Sequence, residues 1–196
     1  MTSARATNSW VDTSQSSNLK IFEKANNIIK QNIYCTLATS SSEGIPWSTP
    51  VYFSYDKQCH IYWTSTIQSQ HSQNIYQNQG QVALSIFNSI VPEGTSVQGL
   101  YFFGKAMEVT NDLLPFAAEL SIARANNYAL SSVELQQKVK IKVQNILSDN
   151  TLKMYQFIPQ SAWITGERLA VREQLIDTKI TINLKDFLKF RSNNLD

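Results

Sequence analysis

The 196-residue chain has two histidines, His60 and His71, and two cysteines, Cys35 and Cys59. Two imidazoles are too few for a histidine-built metal centre. Neither a CxxC pair nor an HExxH helix occurs, so zinc chemistry has no ligand set to rest on. The GxSxG nucleophile elbow, the GxxxxGK[ST] phosphate loop and the GxGxxG dinucleotide turn are absent as well. Serine-hydrolase, P-loop and Rossmann-type chemistry therefore lack a motif, and no catalytic residue is assigned. Both cysteines fall in apolar runs that read as strands, which predicts buried structural thiols and no disulfide framework. What remains is a small β-rich barrel with helices, a shape that holds ligands at its mouth or at an interface.

The elements that must position such a ligand follow from the periodicity. Leu19, Phe22, Ala25, Ile28 and Ile29 fall at helical spacing behind Ser17 or Asn18, predicting a helix over 19–31. Apolar β-branched and aromatic runs at 33–39, 48–55 and 59–64, separated by the turns Ser41-Ser42-Glu43-Gly44 and Asp56-Lys57-Gln58, predict an antiparallel meander. Residues 69–78 are too polar for a core strand and suit a short surface helix, before strands at 82–87 and 97–109. The stretch 112–147 reads as helical, capped by Asp112 and broken in two near Asn126, Asn127 and Ser131-Ser132. Two late strands are expected at 152–158 and 162–165, while 174–190 carries apolar residues that the pattern does not assign. A polar tail over residues 1–17 precedes a single domain at 18–196 with a helical insertion at about 112–148.

With 42% apolar and 16% charged residues and a formal net charge of +2, the surface is polar but weakly charged. Neither a nucleic-acid channel nor an anionic membrane surface is indicated, and the expected partner is a small molecule. No apolar run reads as a signal peptide or is long enough to cross a bilayer, so the expected location is cytoplasmic.

The run IYCTLATSSSEGIPWSTPVYFSYDKQCHIYWTSTIQSQHSQNIYQNQGQVALSIF followed by GLYFFGKAMEV resembles the pyridoxamine 5′-phosphate oxidase-like split barrels over residues 19–110. The likeness lies in a series: a T-L-A-T strand, a G-x-P turn, P-V-x-F-x-Y-D, I-Y-W-T, S-x-x-x-x-N-I, V-A-L and G-K-A. AWITGERLAVRE at 162–173 is a second, shorter match. The resemblance implies a mainly β fold with helices, a split β-barrel of about six antiparallel strands that binds flavin mononucleotide (FMN) in a homodimer. It implies that Ser48, Thr49, Pro50 and Val51 lie beside the flavin ring, and that Trp63, Thr64, Ser69, Gln70 and His71 lie near its phosphate. There, helix N-terminal amides and hydroxyls make an anion site. It also implies Trp163 and Arg172 near the flavin and Arg168 toward substrate. Each has a plainer reading: Pro50 at a sheet edge, Ser69 as an N-cap, Trp63 in the core, His71 on the surface, and either arginine paired with Glu167 or Glu173.

The chain departs from the oxidase pattern where charge matters. The strand 48–53 has Ser48 and Phe53 at the ends where the oxidase has arginine and lysine, Gln70 and His71 replace an arginine and a lysine, and Ala170 replaces a histidine. Neutral side chains cannot supply charge-assisted bonds to two phosphates. The expectation is an FMN-binding protein, an oxidoreductase of unassigned substrate, with a flavin carrier or a barrel holding heme or a deazaflavin as alternatives.

Overall fold

The computed structural model describes residues 11–90, 97–171 and 174–194. In chain order the elements are β1 (Val11–Ser16), α1 (Leu19–Gln31), β2 (Tyr34–Ser40), β3 (Pro46–Tyr52), β4 (Ser54–Tyr55), β5 (Ile61–Thr66), α2 (Gln70–Gln77), β6 (Gln81–Phe87) and β7 (Gly99–Glu108). Then follow α3 (Leu114–Ala125), α4 (Ser132–Ser148), β8 (Leu152–Thr165), β9 (Leu169–Val171), β10 (Gln174–Ile176), β11 (Lys179–Ile182) and α5 (Leu184–Asn194).

Alternation drives the barrel. In β2, Cys35, Leu37 and Thr39 point inward and are buried; in β6, Val82, Leu84 and Ile86 do the same. The strands run β3-β2-β6-β7-β8-β5, all antiparallel. The chain bends at Phe53, so that β4 leaves β2 and pairs with β5 through Ser54 and Tyr62. Segment 46–55 thus joins both ends of the strand order, which makes the expected split barrel. Inside lie Phe22, Leu37, Phe53, Trp63, Leu84, Phe102, Phe157 and Phe187, with α1 and α5 contributing from outside the strands. Each such burial contributes roughly 1.5–3 kcal/mol.

A β-bulge marks a close approach of β7 and β8. Pairing of β7 with β8 shifts register between Phe103 and Gly104, so Gly104 faces Pro159. A Cβ at Gly104 would run into the Ile158 carbonyl and stand 2.8 Å from the Phe157 ring. Only glycine lets the two backbones approach this closely.

Outside the barrel, α3 and α4 pack on β5 and β8 through a second cluster of Tyr62, Leu114, Ala117, Ala118, Ile146 and Met154. The Ser131–Glu134 capping box starts α4. Asp112 does not cap α3: Leu113 holds the N-cap position without a side-chain bond, and Pro115 occupies the first turn. The two expected late strands are one continuous strand, β8, carried past its bulge. Residues 11–16, expected in the tail, form β1, a parallel partner of β11. The unassigned stretch supplies β10, β11 and α5. Helix α2 is not a surface helix, since His71, Ser72, Asn74 and Ile75 are all buried. Both cysteines are free and buried. Among the described residues no helix is long and apolar enough to cross a membrane.

Candidate functional site at the start of helix α2

Strand β5 sends alternate side chains to opposite sides. Trp63 joins the main core, while Tyr62 joins the second cluster under α3. By the same alternation Ser65 faces α2, and Thr64 lines a cleft of about 370 Å³ together with Ser121, Asn126 and Lys142. Thr64 therefore does not meet the Ser69–His71 segment. The hydroxyl that does is Ser65, one position on.

Around the first turn of α2 the polar groups converge. His71 Nε2 lies 2.8 Å from Ser65 Oγ and 3.1 Å from Ser69 Oγ. Ser69 sits at the N-cap position in extended conformation, yet its hydroxyl donates to the Thr66 carbonyl at 2.9 Å and leaves the helix amides uncapped by a side chain. Ser72 Oγ is 2.9 Å from Ser69 Oγ. Gln70 turns away, donating to Asn74 Oδ1 at 2.9 Å. His71 is 5% exposed, and this burial lowers the imidazole pKa below the usual histidine value. Burial thus favours the neutral ring.

The network continues inward. Ser72 bonds the Tyr155 phenol, whose oxygen lies 2.6 Å from Tyr76 Oη, and Tyr76 donates to Glu108 Oε1 at 2.6 Å. Tyr155 stacks on Trp63 with centroids 5.5 Å apart and planes 12° apart. Two buried polar atoms on the neighbouring strands have no partner: Trp63 Nε1 of β5 and Thr49 Oγ1 of β3. In a finished core such orphans are rare, and they mark places where something else can bond.

Strand β3 lies alongside with one side unclaimed, since among the described residues it forms a ladder with β2 alone. Ser48 and Pro50 point outward and are exposed, Thr49 is half-buried and Val51 is buried. Trp47 is 50% exposed and Ile45 61%. A proline is tolerated where no further strand asks for its amide.

The late residues stand elsewhere. Trp163 is half-buried on β8 between Tyr101 of β7 and Thr181 of β11. It lies eight positions from Tyr155, roughly 25 Å along an extended strand. Arg168 is exposed, and its Nε donates to Asp177 Oδ1 at 2.9 Å, not to Glu167. Arg172 lies outside the described residues. Within one chain, then, the β3 and α2 residues come together, and Trp163 and Arg168 do not join them. Ser65, Ser72, Tyr76 and Tyr155 escaped the sequence reading. Only the period of β5, which puts Ser65 on Trp63's face, could have selected one of them.

A β3-β2-β6-β7-β8-β5 barrel closed by the segment 46–55 defines a split-barrel fold. The model of the pyridoxamine 5′-phosphate oxidase family matches residues 21–147, and the chain belongs to that family. Solved structures similar to it include a protein of unknown function from Agrobacterium tumefaciens (TM-score 0.60, 16% identity, 78% of this chain and 59% of that one). A heme binding protein from Mycobacterium smegmatis has TM-score 0.58 and 14% identity, covering 91% of this chain and 62% of that one. HutZ, the heme storage protein of Vibrio cholerae, has TM-score 0.54 and 14% identity, covering 72% of this chain and 92% of that one. The chain spans less than two thirds of the first two proteins, and at these identities the likeness is one of fold. No curated protein matches the chain.

Proposed function

We propose that this protein binds FMN in a homodimer and works as an oxidoreductase whose substrate is not pyridoxamine 5′-phosphate. The observation that carries the reading is the cluster of Ser65, Ser69 and His71 at the uncapped start of α2, a helix that packs against β3. These donors suit a phosphate on a helix N-terminus with a flat ring laid along Ser48–Val51. Gln70 turns toward Asn74, and Phe53 is fully buried against Tyr55 and Arg124, so neither brings charge to the phosphate. His71 is the one titratable group of the proposed phosphate cluster.

The flavin, when bound, supplies the hydride or electron transfer. The chain's own residues hold its phosphate, orient its ring and exclude water. Because Trp163 lies roughly 25 Å along β8 from Tyr155, the site that Trp163, Arg168 and Arg172 complete is the partner's. A C2 pair that exchanges these segments suits the unclaimed side of β3. Residues 18–196, with β1 paired onto β11, act as one domain, with α3 and α4 an insertion between barrel strands. The same reading puts the protein in the cytoplasm, which two free buried thiols support.

The test is a pair of titrations on the purified chain, one with FMN and one with hemin, alongside chromatography of whatever denaturation releases. FMN bound stoichiometrically, and reducible anaerobically by a nicotinamide donor with reoxidation by an acceptor, supports the proposal. Hemin bound in preference to FMN overturns the cofactor. FMN that binds but never turns over makes the protein a carrier.

A further inference from the structure

A cavity of about 810 Å³ lies away from this site, between α3 and the β4–β5 turn. Its walls include Tyr55, Phe116, Leu120, Arg124 and Tyr128, and none of its lining belongs to β3 or α2. That volume is in the range that takes a small organic ligand.

Its charge is unbalanced. Arg124 is 6% exposed, packed 4.6 Å from the Tyr55 ring centre and 4.7 Å from that of Phe53. Its Nη2 donates to the backbone carbonyls of Ile29 and Asn32, and its buried Nε has no acceptor. Behind Tyr55 a second buried guanidinium, Arg191, donates to the Lys57 and Asp56 carbonyls and to Asn26 Oδ1. Among the described residues neither arginine pairs with a carboxylate. The one carboxylate on the wall, Asp56, is already taken by the His60 amide, His60 Nδ1 and Tyr62 Oη. Lys30 and Lys57 add further positive charge to the lining. A buried cation without a counter-charge is costly, and proteins normally pair it.

The mouth is aromatic and strained. Phe116 is 44% exposed and Tyr128 65%. Tyr128 and Asn127 both hold left-handed backbone, with φ of 57° and 50°. That conformation disfavours a bulky side chain, and strain of this kind gathers at ligand sites. Here it holds a tyrosine, exposed, at the rim of a cationic cavity.

We propose that this cavity is a second binding site, for a small organic carboxylate carried on a flat apolar body. The ring would lie between Phe116, Tyr128 and Leu120, with its carboxylate toward Arg124. A carboxylate fits better than a phosphate dianion because two of the guanidinium's bonds are spent on carbonyls, leaving a narrow set of donors.

The experiment is calorimetric titration of the full chain with 2-naphthoate, 2-naphthalenemethanol and 2-naphthyl phosphate. Naphthoate is expected to bind at one site per chain, at least about tenfold tighter than the alcohol, as a charge-assisted bond implies. Saturating FMN should leave this affinity unchanged. Leu120→Trp, which fills the cavity from α3, should abolish binding while circular dichroism stays native. Arg124→Gln should weaken binding about tenfold or more. Since Arg124 also ties α1 to α3, Lys57→Gln serves as a second, exposed variant and should weaken naphthoate but not the alcohol. No binding, equal affinity for acid and alcohol, or undiminished binding in Leu120→Trp overturns the site. Displacement by FMN overturns its independence from the flavin, and tighter binding of the naphthyl phosphate overturns the carboxylate assignment.

Discussion

Replacing His71 by alanine tests the phosphate site most directly. In the free protein the change removes two hydrogen bonds, to Ser65 Oγ and Ser69 Oγ. At about 1 kcal/mol net each, the loss is roughly 2 kcal/mol, tolerable for a domain with about 5–15 kcal/mol of stability, so the variant stays measurable. For binding, a charge-assisted bond from imidazolium to phosphate is worth roughly 1.5–3 kcal/mol, which loosens FMN by about ten- to a hundredfold and leaves riboflavin nearly untouched. The pH sign follows from burial. His71 has a lowered pKa in the free protein, and a phosphate dianion beside it raises the bound-state value above the free one. Protons are then taken up on binding, so affinity is highest below the free-state pKa and falls as pH rises toward the bound-state pKa. The phosphate itself titrates near pH 6, and subtracting the variant's profile from the wild type's removes that contribution. Stability moves the opposite way: the unfolded chain binds the extra proton, so the unliganded protein weakens as pH falls below about 6.5, less so in the variant. The assay is fluorescence titration of FMN and riboflavin into both proteins between about pH 5 and pH 8. An FMN-to-riboflavin affinity ratio that is the same in both proteins at every pH refutes the phosphate assignment.

Three further outcomes are expected. Gly104→Ala drives a Cβ into the Ile158 carbonyl and the Phe157 ring, so urea unfolding should show a loss at or above the roughly 1–3 kcal/mol of an overpacked core; a loss under a few tenths would contradict the bulge geometry. Light scattering should find a dimer, and Trp47→Lys at the exposed start of β3 should shift it toward monomer and weaken FMN together, whereas a wild-type monomer that holds FMN tightly would remove the shared site. Steady-state assay with pyridoxamine 5′-phosphate should show no efficient turnover, because Phe53 is wholly buried and Ala170 has no imidazole; saturable, rapid oxidation would contradict this.

Local pattern carried much of the fold. The apolar period of α1, the alternation of β2 and β6 and the turn at Gly44 depend on neighbours a few residues away, and each element stands within two residues of its expected place. The order of those elements was enough to identify the family. Other features depend on partners far along the chain. That β8 is one strand follows from its pairing with β5, β7 and β11 in turn, and β1 is ordered by a strand more than 160 residues later. Helix α2 looked like a surface helix because its side chains are polar. They are buried because β2 and β5 meet them with hydroxyls of their own, such as Thr39 and Ser65. Thr64 and Ser65 are adjacent hydroxyl residues of similar character, and only the packing of α3 on one face of β5 and α2 on the other separates them. Nothing in the local sequence singles out Arg124. It becomes a buried cation on a cavity wall because α1, β4 and α3 close around it, and a side chain's charge says nothing of what will enclose it.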